Sequence, residues 1–311
     1  MFKIHKPNHC LITQNHHRIG SQFLLFLNLA FVVESDGTLL DEQEAWPWLL
    51  NQFPSVPFDH GFKKGRGTYG VVGTAYALQP VSQMRVDIQF DTLSKTIFVF
   101  GDRHWQQGLT GWAISSPQLF NSMPVRADYA YGGAGYDLNP LGKGFVASGE
   151  VVVGQALPNL ELPNSLVFQP EDKPEPALTG LLPLTSPDKQ KWLGAISDEW
   201  LQQDFPWLPI DTNYRWFDGV PEDQVRQGYW QGTESWSISG MHLFKSNVQG
   251  QLPGLRPRLL VGSQSVAKPQ EVELVLDTVW LAPNDERTIM WYRGAVTVQR
   301  EDAADVDQVL I

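Results

Sequence analysis

The sequence is poor in cysteine, in charged side chains and in helical periodicity. Its one cysteine, Cys10, excludes an internal disulfide and any site built from several thiolates. Basic residues are in deficit: 23 Lys and Arg stand against 34 Asp and Glu in 311 residues, a formal net charge of −11. That balance argues against a nucleic-acid binder, which must neutralise phosphates with Lys and Arg. No run of about 18 apolar residues occurs, which excludes a membrane-spanning helix. The longest apolar stretch, from Phe23 to Val33, is broken by Asn28 and lies too far along the chain for a signal peptide. With neither disulfides nor a leader, a cytoplasmic protein is expected. Aromatics, by contrast, make up 12% of the chain, 12 of them Trp, beside 27 Gly and 22 Pro. So many aromatics exclude general disorder, because such a chain can bury a substantial core.

The clearest period is two. In Met84–Phe90 the apolar Met84, Val86, Ile88 and Phe90 alternate with Arg85, Asp87 and Gln89, the pattern of a strand with one wet face. Asp91–Lys95 reads as a polar turn and Thr96–Phe100 as the returning strand of a hairpin. Asp36-Gly37 marks a second hairpin between Phe31–Val33 and Thr38–Leu40, with Gly37 supplying the positive φ of a tight turn. Glu271–Leu276, Thr288–Tyr292, Ala295–Val298 and Ser235–Leu243 are further strand candidates.

Helical patterns are few. The best is Asp188–Leu201, with Ser186 as N-cap, Pro187 as first helical residue and Trp192, Ile196 and Trp200 on one face. A shorter helix starts at Pro221, with Glu222 and Asp223 in its first turn. The expected fold is mainly β: antiparallel sheets, sandwich- or barrel-like, with long Gly/Pro-rich loops and a few short helices. One domain over residues 1–311 is expected, with 169–187 as an exposed loop or linker around QPEDKPEP.

Candidate chemistry is thin. Gly65, Gly67 and Gly70 spell G-x-G-x-x-G, but a dinucleotide site needs a strand before and a helix after it. The flanks read instead as a glycine-rich turn entering a strand. His5, His9, His16 and His17 with Cys10 match no zinc spacing. Asp102 and His104, two apart after a strand, would share a side as orienter and general base. The favoured alternative is structural: Asp102 accepts backbone N–H groups, Arg103 pairs with a buried acid and Trp105 packs. Trp46, Trp48, Trp207 and Trp216, near prolines or in expected loops, suit either sugar stacking or protein contact. Asp198/Glu199 and Glu222/Asp223 are carboxylate pairs of the kind glycosidases use, though neighbouring acids at helix starts are commonplace.

Several short motifs recur in a distinctive order. F-G-D-R-H-W (Phe100–Trp105) precedes Met123-Pro124, Y-A-Y-G-G (Tyr129–Gly133), N-P-L-G-K-G (Asn139–Gly144) and L-P-N-L-E-L-P (Leu157–Pro163). P-E-D-Q (Pro221–Gln224), Q-G-T-E (Gln231–Glu234) and L-D-T (Leu276–Thr278) follow. Together they resemble the bacterial family catalogued as domain of unknown function 2169. Its members occur in type VI secretion gene clusters and are regarded as adaptors or chaperones that load an effector onto the spike. The resemblance implies a non-enzymatic protein without catalytic residues, cofactor or metal, in the cytoplasm of a Gram-negative donor cell. Its implied partners are a secreted toxin effector and a spike or spike-tip protein, not nucleic acid or membrane. It implies partner-binding or loop-holding roles for Asp102, Arg103, Trp105, Tyr131, Gly132, Gly133, Asn139, Glu161, Trp216, Asp223, Gln224 and Glu234. The competing expectation is a carbohydrate-active hydrolase or glycan-binding module that uses Trp platforms.

Overall fold

The computed structural model describes residues 3–5, 7–19, 22–53, 63–147, 150–180, 187–263, 270–298 and 306–310. Strands account for 43% and helices for 11%, so the chain is mainly β as its period-two patterning requires.

Two sheets dominate. The six-stranded sheet runs, in spatial order, Val225–Arg226, Gly67–Val71, Val275–Ala282, Arg287–Val298, Gln22–Glu34 and Leu11–Ile19. Its pairings are antiparallel except that of Gly67–Val71 with Val275–Ala282. The five-stranded sheet runs Leu160–Glu161, Leu93–Phe100, Gln83–Phe90, Ser235–Ser239 and Asn247–Gln251, antiparallel throughout. One core joins their inner faces: Leu25, Leu27, Leu29, Tyr69 and Leu281 from one side, Val86, Ile88, Phe90, Ile97 and Trp236 from the other. The Tyr69 and Phe90 rings stack at 4.9 Å, and Trp230 meets Phe90 edge-on at 4.7 Å. This is sandwich packing. The barrel half of the expectation fails, since closure needs the end strands of a sheet to pair and here they do not.

The six-stranded sheet is covered on its other face too. Ala30, Val32, Trp280, Ile289 and Trp291 pack there against helix Glu42–Gln52 through Ala45, Leu49 and Phe53. Every residue of Val275–Ala282 is therefore buried, Asp277 and Thr278 included. The sequence placed Trp46 and Trp48 in loops; both lie in this helix, which carries Pro47 in its interior.

Several element boundaries move for local reasons. The 83–100 hairpin turns on Asp91-Thr92 alone, with Asp91 at φ 51°, so Leu93–Lys95 belongs to the strand rather than to the expected turn. Asp tolerates this left-handed conformation because its short side chain bonds locally. The Asp36-Gly37 turn forms, with Gly37 at φ 90°, but its return leg makes only the Val33–Leu39 bridge. Thr288–Tyr292 and Ala295–Val298 merge into one strand. Gly294 between them marks close approach, since a Cβ there would lie 2.7 Å from Val272 Cγ1. Glu271–Leu276 instead divides between Gln270–Val272 and Val275–Ala282, in different sheets.

The expected helix over 188–201 breaks into Pro187–Gln190 and Asp198–Gln203. Gly194 at φ 96° interrupts it, and Ser197 caps the second piece by accepting from Trp200 N at 3.1 Å; Ser186 lies outside the described residues. The Pro221 helix is a 3-10 turn, Glu222–Gln224. In the 169–187 stretch Gln169, Glu171, Lys173 and Glu175 are exposed, while the residues after them turn inward. Ala177 and Leu178 enter the core, and Val71 N donates to Thr179 O at 2.9 Å; residues 181–186 lie outside the described ones.

Candidate functional site

Glycines at the edge of the six-stranded sheet admit tryptophan. A Cβ on Gly70 would come 2.0 Å from Trp280 Cζ3, and one on Gly67 3.0 Å from Trp230 Nε1. The G-R-G-T-Y-G run is mostly strand Gly67–Val71 itself rather than a turn ahead of a strand, which leaves no helix N-terminus there for a pyrophosphate.

Around this edge cations are drawn inward. Arg66 donates through Nε to Asp218 at 2.8 Å and in a fork to Glu222 at 2.6 and 2.8 Å. Lys95 shares the inward face with Ile97 and Val99 and reaches Asp223 at 2.8 Å. Burial pushes the Lys95 ammonium below its ordinary value against the pull of Asp223. Gln224 is fully buried and donates to Tyr69 O at 3.0 Å and Thr179 O at 2.7 Å, tying the 3-10 turn to both segments. Deeper still, Arg293 pairs with Asp277 and donates to Thr278 Oγ1 at 2.9 Å. Glu222 and Asp223 thus serve different cations. Asp198 and Glu199 sit exposed in the first turn of their helix. Neither pair forms a catalytic couple flanking a cleft.

The Phe100–Trp105 motif lies beyond the end of strand Leu93–Phe100. Asp102 accepts from Asn159 Nδ2 at 3.0 Å, a side chain rather than the expected backbone N–H, while His104 Nδ1 lies 3.3 Å from Ser115 Oγ. With separate partners, the two do not make an orienter–base pair. Arg103 pairs with Glu161 and donates to Pro158 O at 2.7 Å. Glu161 also accepts from Val167 N at 3.0 Å. Burial raises the Glu161 carboxyl above its ordinary value, against the opposing charge and hydrogen bond of Arg103.

Trp105 and Tyr131 are buried with Leu157 and Val167. Both therefore pack internally. Tyr131 OH donates to Asp172 O at 2.9 Å, and burial pushes that hydroxyl up to about 12. Asn139, fully buried, donates to Ala127 O and Tyr131 O. Gly132, at φ 152°, leaves room for Asn139 O, which a Cβ would approach to 2.1 Å. Gly133 follows at φ 145°, and its N–H donates to Asn139 O at 3.0 Å. Glu234 accepts from Gln231 N and Gly232 N to close its own turn. Trp216, half-buried on Tyr214–Phe217, lies 5.9 Å from Lys189 Nζ. The motif residues thus form a frame, most of it internal.

Exposed apolar side chains among the described residues include Leu78, Leu109, Leu119, Val153 and Phe244, and two further features group several apolar residues together. One is a groove of about 570 Å³ floored by Arg103 and Glu161 and walled by Phe98, Phe100, Ile114, Leu166 and Phe168. The other is the 191–217 segment, where Ile196, Leu201, Phe205 and Ile210 are each more than half exposed. Arg18–Asp204 at 2.6 Å ties that segment to strand Leu11–Ile19, and Trp200 Nε1 donating to Trp207 O at 2.9 Å and Arg215 over the Trp192 ring at 4.8 Å brace it internally. Sequence reasoning missed the groove, whose walls come from separate segments, and read Ile196 as part of one helical face rather than as exposed. Among the described residues no three His, Cys, Asp or Glu side chains gather as a metal would need; the side chains of His5, His16 and His17 lie outside them. Among those residues, likewise, no helix is long and apolar enough to cross a membrane.

A family model described as "Uncharacterized protein conserved in bacteria (DUF2169)" matches residues 20–293. No curated protein and no solved structure matches the chain. The matched span begins just before strand Gln22–Glu34 and ends on Arg293, the buried partner of Asp277. It includes the Arg103–Glu161 pair and every motif quoted above, and on that match the chain belongs to the DUF2169 family.

Proposed function

We propose that this protein is a non-enzymatic adaptor or chaperone that binds a type VI secretion effector and helps load it onto the spike complex. It would act in the cytoplasm of a Gram-negative donor cell. The observation that carries this reading is the exposed apolar set Ile196, Leu201, Phe205 and Ile210, held on a segment fastened by an ion pair and aromatic contacts. Apolar side chains presented from a braced loop suit protein contact, where buried anchors supply most of the affinity. The net charge of −11 favours a basic partner and faster encounter with it.

The test is co-expression with the toxin and spike proteins encoded beside it, followed by affinity capture and light scattering. A defined complex, with the toxin soluble only when co-expressed, is expected. Leu201→Asp with Phe205→Asp is expected to weaken it by about tenfold or more while far-UV circular dichroism stays unchanged. If all components are folded and no complex forms with either protein, the adaptor reading falls and a glycan-directed function takes its place.

A further inference from the structure

Each main sheet has two ends, and three of these four are short or already engaged. Leu160–Glu161 is a two-residue strand, and Glu161 bridges onward to Pro176. Val225–Arg226 is as short. Leu11–Ile19 is long, but Arg18 on it holds Gln203 O and Asp204, each at 2.6 Å. The fourth end, strand Asn247–Gln251, has no strand on its far side among the described residues. Edge strands are usually blunted by Lys, Pro or a bulge, because their unpaired N–H and C=O groups attract another strand. This one pairs with Ser235–Ser239 without a register shift, and Ser246 to Leu255 contains no charged residue.

The register fixes which groups are free. Leu252 N donates to Glu234 O at 2.9 Å and Gly240 N to Ser246 O at 3.3 Å. Hydrogen-bonded and non-hydrogen-bonded pairs alternate along an antiparallel ladder. Trp236–Gly250 and Ile238–Val248 are therefore the bonded pairs here, and Asn247, Gln249 and Gln251 turn their N–H and C=O groups outward. These three residues are exposed, while Val248 between them is buried. Antiparallel pairing with a copy of the same strand, about a two-fold axis at Gln249, uses all of those groups. Gln249 then meets Gln249 and Asn247 meets Gln251, each pair exchanging both backbone hydrogen bonds. An amide side chain is donor and acceptor at once, so it suits its own image, as a charged side chain does not. Leu243 and Phe244, 47% and 81% exposed, lie just ahead of the strand. The same axis sets them at both ends of the seam, where they add apolar contact.

We propose that Asn247–Gln251 is a homodimer seam, at which two copies of this chain join edge to edge and their five-stranded sheets become one continuous sheet. A second copy is the occupant because the outward backbone groups, the lack of charge and the amide side chains are all self-complementary about Gln249, as an isologous interface requires. The seam is independent of the adaptor reading.

The test is sedimentation velocity of the full chain from about 1 to about 100 μM, with hydrogen-exchange mass spectrometry at both ends of that range. A monomer–dimer equilibrium is expected, with exchange at 247–251 slowing as the dimer fills. Gln249→Pro removes an outward N–H that the ladder with Ser235–Ser239 does not use, a change edge strands tolerate. Gln249→Lys keeps the backbone and sets like charges on the axis. Each is expected to weaken the dimer by about tenfold or more while far-UV circular dichroism stays unchanged. Gln89→Lys places the same charge two strands in from the edge, at an exposed position opposite Ser237, and is expected to leave the dimer intact. Either Lys lowers the net negative charge, so a loss confined to Gln249→Lys arises at the seam and not from overall repulsion. A monomer at every concentration, a dimer indifferent to both Gln249 variants, an equal loss in Gln89→Lys, or a dimer with 247–251 unprotected overturns the proposal. So does a monomer in which 247–251 becomes protected on binding the toxin, because the occupant is then a strand of the partner.

Discussion

Arg293–Asp277 and Arg103–Glu161 are pairs of nearly the same chemistry in different settings. The first is enclosed, at 0% exposure for both side chains, and is tied into Thr278 and Thr68. The second is equally sheltered on one side and borders a groove on the other. Taking two charges out of water is costly, and the mutual attraction repays that cost only when the remaining hydrogen-bonding groups are also met. Where the pair is enclosed, Thr278 adds a hydrogen bond to Arg293 and the pair fastens two neighbouring strands. Where it borders a groove, water has a path to the pair from one side. Arg66–Glu222 extends the series outward, with the glutamate 68% exposed.

Removing one acid from each pair grades the settings. Asp277→Asn leaves Arg293 as a buried charge without its counter-ion and is expected to cost about 3–5 kcal/mol, read as a lower midpoint in urea unfolding. Glu161→Gln keeps an acceptor for Val167 N and mimics the protonated state that burial already favours. With the groove admitting water to Arg103, a loss of about 1–3 kcal/mol is expected by the same measurement. If Glu161→Gln costs as much as Asp277→Asn, the contrast between the two sites is broken.

The smallest effect belongs to Glu222. The Arg66 hydrogen bonds hold its carboxyl below the ordinary carboxylate range, against a weaker burial effect. A depressed folded value means that the stabilisation is present above the unfolded value of 4.5 and is lost as pH falls through the folded one. Glu222→Gln is therefore expected to cost at most about 1 kcal/mol near neutral pH, given its exposure, and nothing near pH ~2, where both forms are neutral. Unfolding at the two pH values measures the difference. A cost that persists in acid would mean that Glu222 acts through packing rather than charge.

Much of the sandwich was legible. The 83–100 hairpin and the Gly37 turn follow from alternation and from turn residues that tolerate positive φ, whereas the strand expected after G-R-G-T-Y-G begins inside the motif, at Gly67. Helix Glu42–Gln52 was hidden by Pro47, which argues locally against a helix that tertiary packing on Trp280 and Trp291 sustains. The 188–201 helix was over-read because three aromatic and apolar residues at four-residue spacing outweighed Gly194. Of the candidate site, the pairing of Arg103 with a buried acid was anticipated, but the groove above it was not.

By itself the sequence determined the period-two scaffold, the positions of its tight turns and the family to which the chain belongs, because these depend on neighbours within a few residues or on motif order. Tertiary structure alone decided which charges go inside and which apolar side chains stay out. Lys95 is brought to Asp223, 128 residues away, and Arg103 to Glu161, 58 away. No local pattern foretells such partnerships, because the free energy that favours them exists only once the two segments are held together and water is excluded from one side.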